Sequence, residues 1–421
     1  MVFVSTAFPG GRPETPDEQT DSLHVMWWGS QTRHERTIEV LELWSEQVDT
    51  EIAYGFAGWD AYWVKMNTMA AGHHLPDVMQ HDYSLLREWQ GHDLLEPLDQ
   101  YVESGVLDCS RIADAALAGG RIEGKLYGIS LGTNSQAIIV DVDLFEAAGI
   151  PLPSDYWTWT EFETIAMRLH EELGIWACGP RILTEQIWRS KYLSAGKQVF
   201  AEDGNGLGYE DDSLLIEHLE MCLRLQEAGA IPHISVAASD YGYGEDLEEH
   251  PLVEGKAAMA SYWSNQLNAL WTAAGGIEER NLRLVMLPRV DRDVSANYIK
   301  PSQFFVVTRD SEQPQLAADF INFFANDVEA NKILRGERGV PVADHVRRAL
   351  KDVVPKPSRI VFDFIDRVAN DGIPTPPPEP EGFSELVDNV YEPIVRDGVM
   401  FGEYTPQEAA RILRRQAAEI F

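Results

Sequence analysis

Apolar residues along this chain fall into two alternating spacings. LHVMWW (23 to 28) is a short apolar run that reads as a buried strand, and RTIEVLELWSEQ (36 to 47) then places Ile38, Leu41 and Trp44 at helical spacing. The pairing recurs: EIAYGF (51 to 56) precedes AYWVKMNTMAAG (61 to 72), and PDVMQH (76 to 81) precedes YSLLREW (83 to 89). Strands alternating with helices predict an α/β fold with a mostly parallel sheet covered on both faces.

Farther on, KLYGISLG (125 to 132) leads into QAIIVDVDLF (136 to 145), two extended runs that meet across Thr133, Asn134 and Ser135. That junction predicts a crossover between two bodies. In TWTEFETIAMRLHEELG, Thr160 and Glu163 have capping-box spacing and Gly174 supplies a left-handed stop. Helices are expected at 211 to 228 and 264 to 273, and strands in LRLVMLP (282 to 288) and QFFVVT (303 to 308), with the chain crossing back in the irregular link between them. QLAADFINFFAN, DVEANKILRG and PQEAARILRRQAAEI make the remainder mostly helical, and PTPPPEPEG (374 to 382) reads as a stiff, exposed connector. At the start, VFVSTAF (2 to 8) is apolar without a charged leading region. It reads as the remnant of a trimmed signal peptide or as a loose tail, joined by GGRPETPDEQTD to the first ordered element near Leu23.

Length and charge narrow the function. A chain of 421 residues, 44% of them hydrophobic, is long for a single core and predicts two. It has no run of about 18 apolar residues, the length a membrane-crossing helix needs. Lys+Arg 34 against Asp+Glu 68 leaves a net charge of -34, which repels phosphate backbones and anionic lipid, so nucleic acid is not an expected partner. Cys109, Cys178 and Cys222 lack CxxC spacing and read as small buried residues, or, in an exported protein, as one disulfide with a spare thiol.

Six segments in order resemble the extracellular solute-binding proteins of bacterial ABC importers, in the carbohydrate-binding family that includes maltose-binding protein. They are NTMAAGHHLPDVMQHD, DLLEPLDQYV, GKLYGIS, DLFEAAGIPLPSDYWTWTEFETIAMRL, EGKAAMASYW and AADFINFFANDVEANKILRGERGVPV. The resemblance implies two α/β lobes joined by crossing strands, with a sugar held in the cleft and the lobes closing around it. We divide the chain accordingly: residues 1–22 a flexible tether, 23–135 plus 295–326 the first lobe, 136–294 plus 327–421 the second. It further implies a non-catalytic, monomeric protein outside the cytoplasmic membrane, without metal or cofactor, that hands its sugar to ABC permease subunits. No GxxxxGK[ST] occurs, so the ATPase would be a separate subunit. Two departures are the absence of a lipobox cysteine and the acidic loop SDYGYGEDLEEH (239 to 250).

Sugar recognition needs an apolar platform for the ring's CH face and planar polar groups for its hydroxyls. Trp28 follows the first strand at its carboxyl end, where a parallel sheet opens to a crevice, with Ser30 and Arg33 as partners; Trp27 points to the opposite face and the core. Asp82 lies just past the third strand and doubles as a cap for the helix after it. Asn134 and Gln136 sit at the crossover. Trp188, in TEQIWRSKYL, divides evenly between cleft and core. In EGKAAMASYWSNQLNALW, the resemblance implies that Gly255 to Ala260 form the strand and turn that deliver Trp263 to the cleft, with Asn265 beside it. Tyr243 in the acidic loop, and Tyr298 and Gln303 flanking the return crossing, complete the candidate set.

Rival chemistries are weaker. GISLG matches the G-x-S-x-G nucleophile elbow, but a strand rather than a helix is expected after it. DGNGLG has Leu207 where a calcium loop needs an oxygen ligand, and His73, His74 and His81 fit no HExxH pattern. A binder of another polar solute, a polyamine or glycerol phosphate ester, is the alternative on the same fold. A carbohydrate-active enzyme is the alternative in another class.

Overall fold

The run SLHVMWW forms strand β1 (Ser22–Trp28) because its side chains alternate between two covered faces. Leu23, Val25 and Trp27 enter one core, whereas Met26 and Trp28 enter another on the opposite side of the sheet. The computed structural model describes residues 22–29, 31–201, 204–244, 247–377 and 379–421; the tether therefore lies, but for Ser22, outside the described residues. After β1 come β2 (Glu51–Ala57), β3 (Val78–His81), β4 (Arg121–Ile122), β5 (Lys125–Leu126), β6 (Gly128–Ser130) and β7 (Thr133–Asn134). They are followed by β8 (Gln136–Asp141), β9 (Trp176–Cys178), β10 (Ala257–Trp263), β11 (Leu282–Val285), β12 (Lys300–Pro301) and β13 (Phe304–Val307).

Two sheets organise the molecule, a five-stranded one in the order β2-β1-β3-β13-β6 and a four-stranded one in the order β11-β8-β10-β9. Helices pack around both, giving the two-lobe α/β architecture. Pairing is more mixed than the alternation predicts. β1 is parallel to β2 and β3, but β13 runs antiparallel to β3 and β6, and in the second sheet only β10 and β9 are parallel. The parallel strands of the first sheet follow helical crossovers; β13 enters it from the other body, which frees it from that constraint.

The crossing is a small structure of its own. β7 pairs with β12, Lys300 opposite Asn134, and Thr133 exchanges backbone hydrogen bonds with Val340 at 2.8 and 3.1 Å. Asn297 stitches it to the second sheet: its Nδ2 donates to Ser135 Oγ and to the Gln136 carbonyl, and its Oδ1 accepts from Leu287 N. The helix Val328–Leu334 packs against the helix Gln31–Val48 of the first body and against the helix Asp344–Leu350, with ion pairs from Arg33 to Glu337 and from Arg111 to Asp344. The helix Lys356–Asp371 packs instead against β11 and the helix Leu267–Ala273.

Several local expectations shift for visible reasons. The extended run from Gln136 stops at Asp141, whose carboxylate accepts from Asp143 N and Leu144 N and starts a helix at Val142. The capping box lies two residues earlier than expected, at Thr158 and Glu161, because Trp159 is already a buried helical residue. Gly174 does close that helix in the left-handed region, at φ 66°. After GISLG the chain continues through β7 into β8, and Ser130 Oγ donates to the Gly132 carbonyl, so no strand-turn-helix elbow forms. Among the described residues no helix is long and apolar enough to cross a membrane, and no group of three His, Cys, Asp or Glu could hold a metal ion.

Candidate functional site

Strand β10 explains how the chain presents an aromatic ring between its two bodies. Its alanines 257, 258 and 260 are fully buried between β8 and β9, where only small side chains let the covering layers approach. The strand ends at Trp263, half-buried and paired in register with Gln136. Trp263 N donates to Gln266 Oε1, which turns the chain into the helix Leu267–Ala273. The indole meets the Tyr298 ring edge-on with centroids 6.4 Å apart, and Lys300 Nζ lies 4.7 Å from the indole centroid. Trp263 thus sits where both crossing segments pass.

The facing wall is the helix Glu185–Ser194. Gln136 Nε2 donates to Gln186 Oε1 at 3.0 Å, and one turn on Arg189 Nη2 donates to Glu379 Oε1 at 2.8 Å. Glu379 belongs to the proline-rich segment, which is no free connector. Thr375 Oγ1 donates to the Ile299 carbonyl, and Tyr83 Oη, from the first lobe, donates to the Pro376 carbonyl at 2.8 Å. The segment therefore straps the cleft. A cavity of about 990 Å³ opens beside it, bounded by Ser84 and Arg87 of one lobe and by Arg189 and Phe200 of the other.

Electrostatics tie these groups together. Burial pushes the Tyr298 phenol up to about 12, with Arg189 pulling it back and Glu379 and Glu185 adding to the rise. Burial raises the Glu185 carboxyl as well, against the opposing pull of Arg189. Burial acts on Glu379 in the same sense, but the charge and hydrogen bond of Arg189 outweigh it and hold that carboxyl below its ordinary value. The site combines an aromatic platform, two amides, a phenol and charges of both signs, a set that can bind and orient a polyhydroxylated solute.

The structure brings together Asn134, Gln136, Trp263 and Tyr298 around the crossing. Gln303 adjoins them, its carbonyl accepting from Leu131 N and its buried Oε1 without a partner among the described residues. Asn265 is exposed on the turn after Trp263. The others stand apart. Trp28 is 7% exposed, edge-on to Trp59 and tilted against Tyr62 and Trp63, so its ring is largely spent on packing. Arg33 pairs with Glu337 and donates to the Trp28 carbonyl. Asp82 accepts from Ser84 N and Oγ and shapes the turn before the helix Leu86–Gly91. Trp188, 1% exposed and stacked on Tyr391, belongs to the core, and Tyr243 donates to Asp397 beneath the Arg396 guanidinium. Ser30 lies outside the described residues.

Tyr83, Gln186, Arg189, Lys300 and Glu379 were not singled out by the sequence. A signal existed for one of them. Glu185 and Arg189 are one helical turn apart, as are Trp188 and Tyr192, so aiming Trp188 at the core turns Arg189 toward the cleft.

Comparison with known proteins agrees with this architecture. An extracellular solute-binding protein family 1 from Alicyclobacillus acidocaldarius has a structure similar to this chain at a TM-score of 0.84, with 26% identity over 96% of this chain and 99% of that one. A periplasmic oligogalacturonide binding protein from Yersinia enterocolitica shares the fold at a TM-score of 0.78, with 21% identity over 95% and 98%. A Brucella abortus protein is 25% identical over 150 residues, a match that spans 35% of this chain and only 36% of the relative's length. The model of the bacterial extracellular solute-binding protein family matches residues 44–356, and the chain belongs to that family.

Proposed function

We propose that this protein captures a mono- or oligosaccharide in the interlobe cleft outside the cytoplasmic membrane and presents it to the permease of an ABC importer. The observation that carries the reading is Trp263. It is a half-buried indole at the end of a fully buried strand, set against Tyr298 and Gln136 where the two bodies join, in a chain of a solute-binding family. An indole face and planar amides are the groups that a sugar's CH face and paired hydroxyls require. The Yersinia neighbour is an oligogalacturonide binding protein, and a neighbour from Streptomyces glaucescens binds acarbose, which supports a saccharide on this scaffold.

The role is binding without turnover, by a monomer. Packing favours a first lobe of residues 23–135 plus 295–350 and a second of 136–294 plus 351–421, since the helix Val328–Leu334 packs on the helix Gln31–Val48 and carries the helix Asp344–Leu350 with it. A thermal-shift panel of saccharides tests the function. A ligand at 100 times its dissociation constant stabilises the folded state by about 2.7 kcal/mol. No shift with any saccharide, or product formed at catalytic protein concentrations, rejects the reading.

A further inference from the structure

Among the cations facing the interlobe space, Arg189 already has a carboxylate. The Arg189 side chain, 14% exposed, donates to Glu379 at 2.8 Å and lies over the rings of Phe200 and Phe383, 5.5 and 4.9 Å from their centroids. Lys300 sits on the Trp263 face and lies in the field of the same Glu379 carboxylate. Around the cavity, Arg87 and Arg189 face Glu88, Glu379, Glu381 and Glu385. Two cations against four carboxylates leave that wall acidic, on a chain whose net charge is -34.

We propose that Glu379 sets the charge class of the ligand: by occupying Arg189 it makes the cleft selective for uncharged saccharides and excludes uronates. The inference rests on the saccharide reading above. A free guanidinium matches a carboxylate's two oxygens, so an unoccupied Arg189 would be a natural uronate reader. With Glu379 in place, an incoming carboxylate must displace it or share a cation with it in a partly desolvated site. Either way the ligand meets a like charge, and specificity arises from that repulsion as much as from attraction. Glu379 is ionised at neutral pH, because Arg189 holds its carboxyl below the ordinary range.

Calorimetric titration of the whole protein with neutral di- and trisaccharides and with digalacturonate tests this, using the unaltered chain, Glu379→Gln and Glu381→Gln. The unaltered protein should bind a neutral sugar and leave digalacturonate unbound. Glu379→Gln should tighten digalacturonate binding by at least about tenfold, whereas Glu381→Gln, which removes the same charge without freeing Arg189, should not. Digalacturonate bound by the unaltered protein as tightly as neutral sugars overturns the assignment, even should Glu379→Gln fail to fold. An equal gain in Glu381→Gln overturns it too. Failure of every saccharide to bind the unaltered chain rejects the proposed function instead, so the two failures are distinct.

Discussion

Trp188 and Trp263 are the same side chain in opposite settings, and the difference is measurable. Trp188 is 1% exposed and stacks on Tyr391 with centroids 5.3 Å apart and planes 15° from parallel. Truncating it to alanine removes a large core volume that its neighbours cannot refill and should cost roughly 3–5 kcal/mol of folding stability. Trp263 is half-buried, with Lys300 over its ring and the Tyr298 ring edge-on to it. Trp263→Ala should cost about 2 kcal/mol of saccharide affinity or more, as buried aromatic anchors do, while the melting of the free protein stays nearly unchanged. Urea unfolding and calorimetry on both variants check the pair. A Trp263 variant that loses stability and keeps affinity would remove the residue from the site. Composition flagged both tryptophans, but only tertiary packing, through helix phase at Trp188 and the strand end at Trp263, says which one is left partly exposed.

At the scale of elements, the strand-helix alternation and the Thr133-Asn134-Ser135 junction were legible because burial on two faces and a break between two extended runs leave local marks. Strand direction in β13 was not legible, since it depends on which body the chain has just left. Nor was the strap at 374 to 382. Proline content correctly signals stiffness and missing donors, but each proline keeps its carbonyl, and the Pro376 carbonyl accepts from Tyr83. The crossing itself depends on close backbone contact. A Cβ added at Gly132 would lie 2.2 Å from the Arg338 carbonyl oxygen and 2.7 Å from its carbon, backbone atoms with no flexible side chain to yield. Gly132 also accepts from Ser302 N and Ser130 Oγ, which pins it in place. Gly132→Ala should therefore destabilise the protein by about 1–3 kcal/mol through overpacking. A urea midpoint equal to that of the unaltered chain would show that the crossing is looser than this geometry.

Across the whole molecule, burial of ionisable groups predicts how stability depends on pH. Burial holds the His81 imidazole down at about 4, although the Asp82 carbonyl and carboxylate pull it upward; burial and then Arg181 hold His250 at about 3. His24 and His218 move in the same direction, also chiefly through burial. Unfolded, each histidine returns to an ordinary value of about 6.5. Below that pH the unfolded chain takes up protons that the folded chain refuses, so stability falls as pH falls from about 6.5 toward 4. Glu185 works the other way, because burial raises its folded value: its stabilising contribution is complete below the ordinary glutamate range and lost as pH rises through the folded one. Relief of a net charge of -34 is concentrated where ordinary carboxylates protonate, and the raised Glu185 carboxyl offsets part of the histidine loss as pH falls. The interval from pH 7 to 5 lies above the ordinary carboxylate range and is dominated by the histidines. Over that interval His81 and His250 should each remove about 2 kcal/mol of unfolding free energy. Urea unfolding at the two pH values gives the sum, and His250→Gln, compared with itself at both, should show a smaller loss by about one histidine's share. Stability that holds constant or rises toward pH 5 would mean that these imidazoles reach solvent in the folded state, and that the bodies on either side of the cleft are packed less tightly than the structure shows.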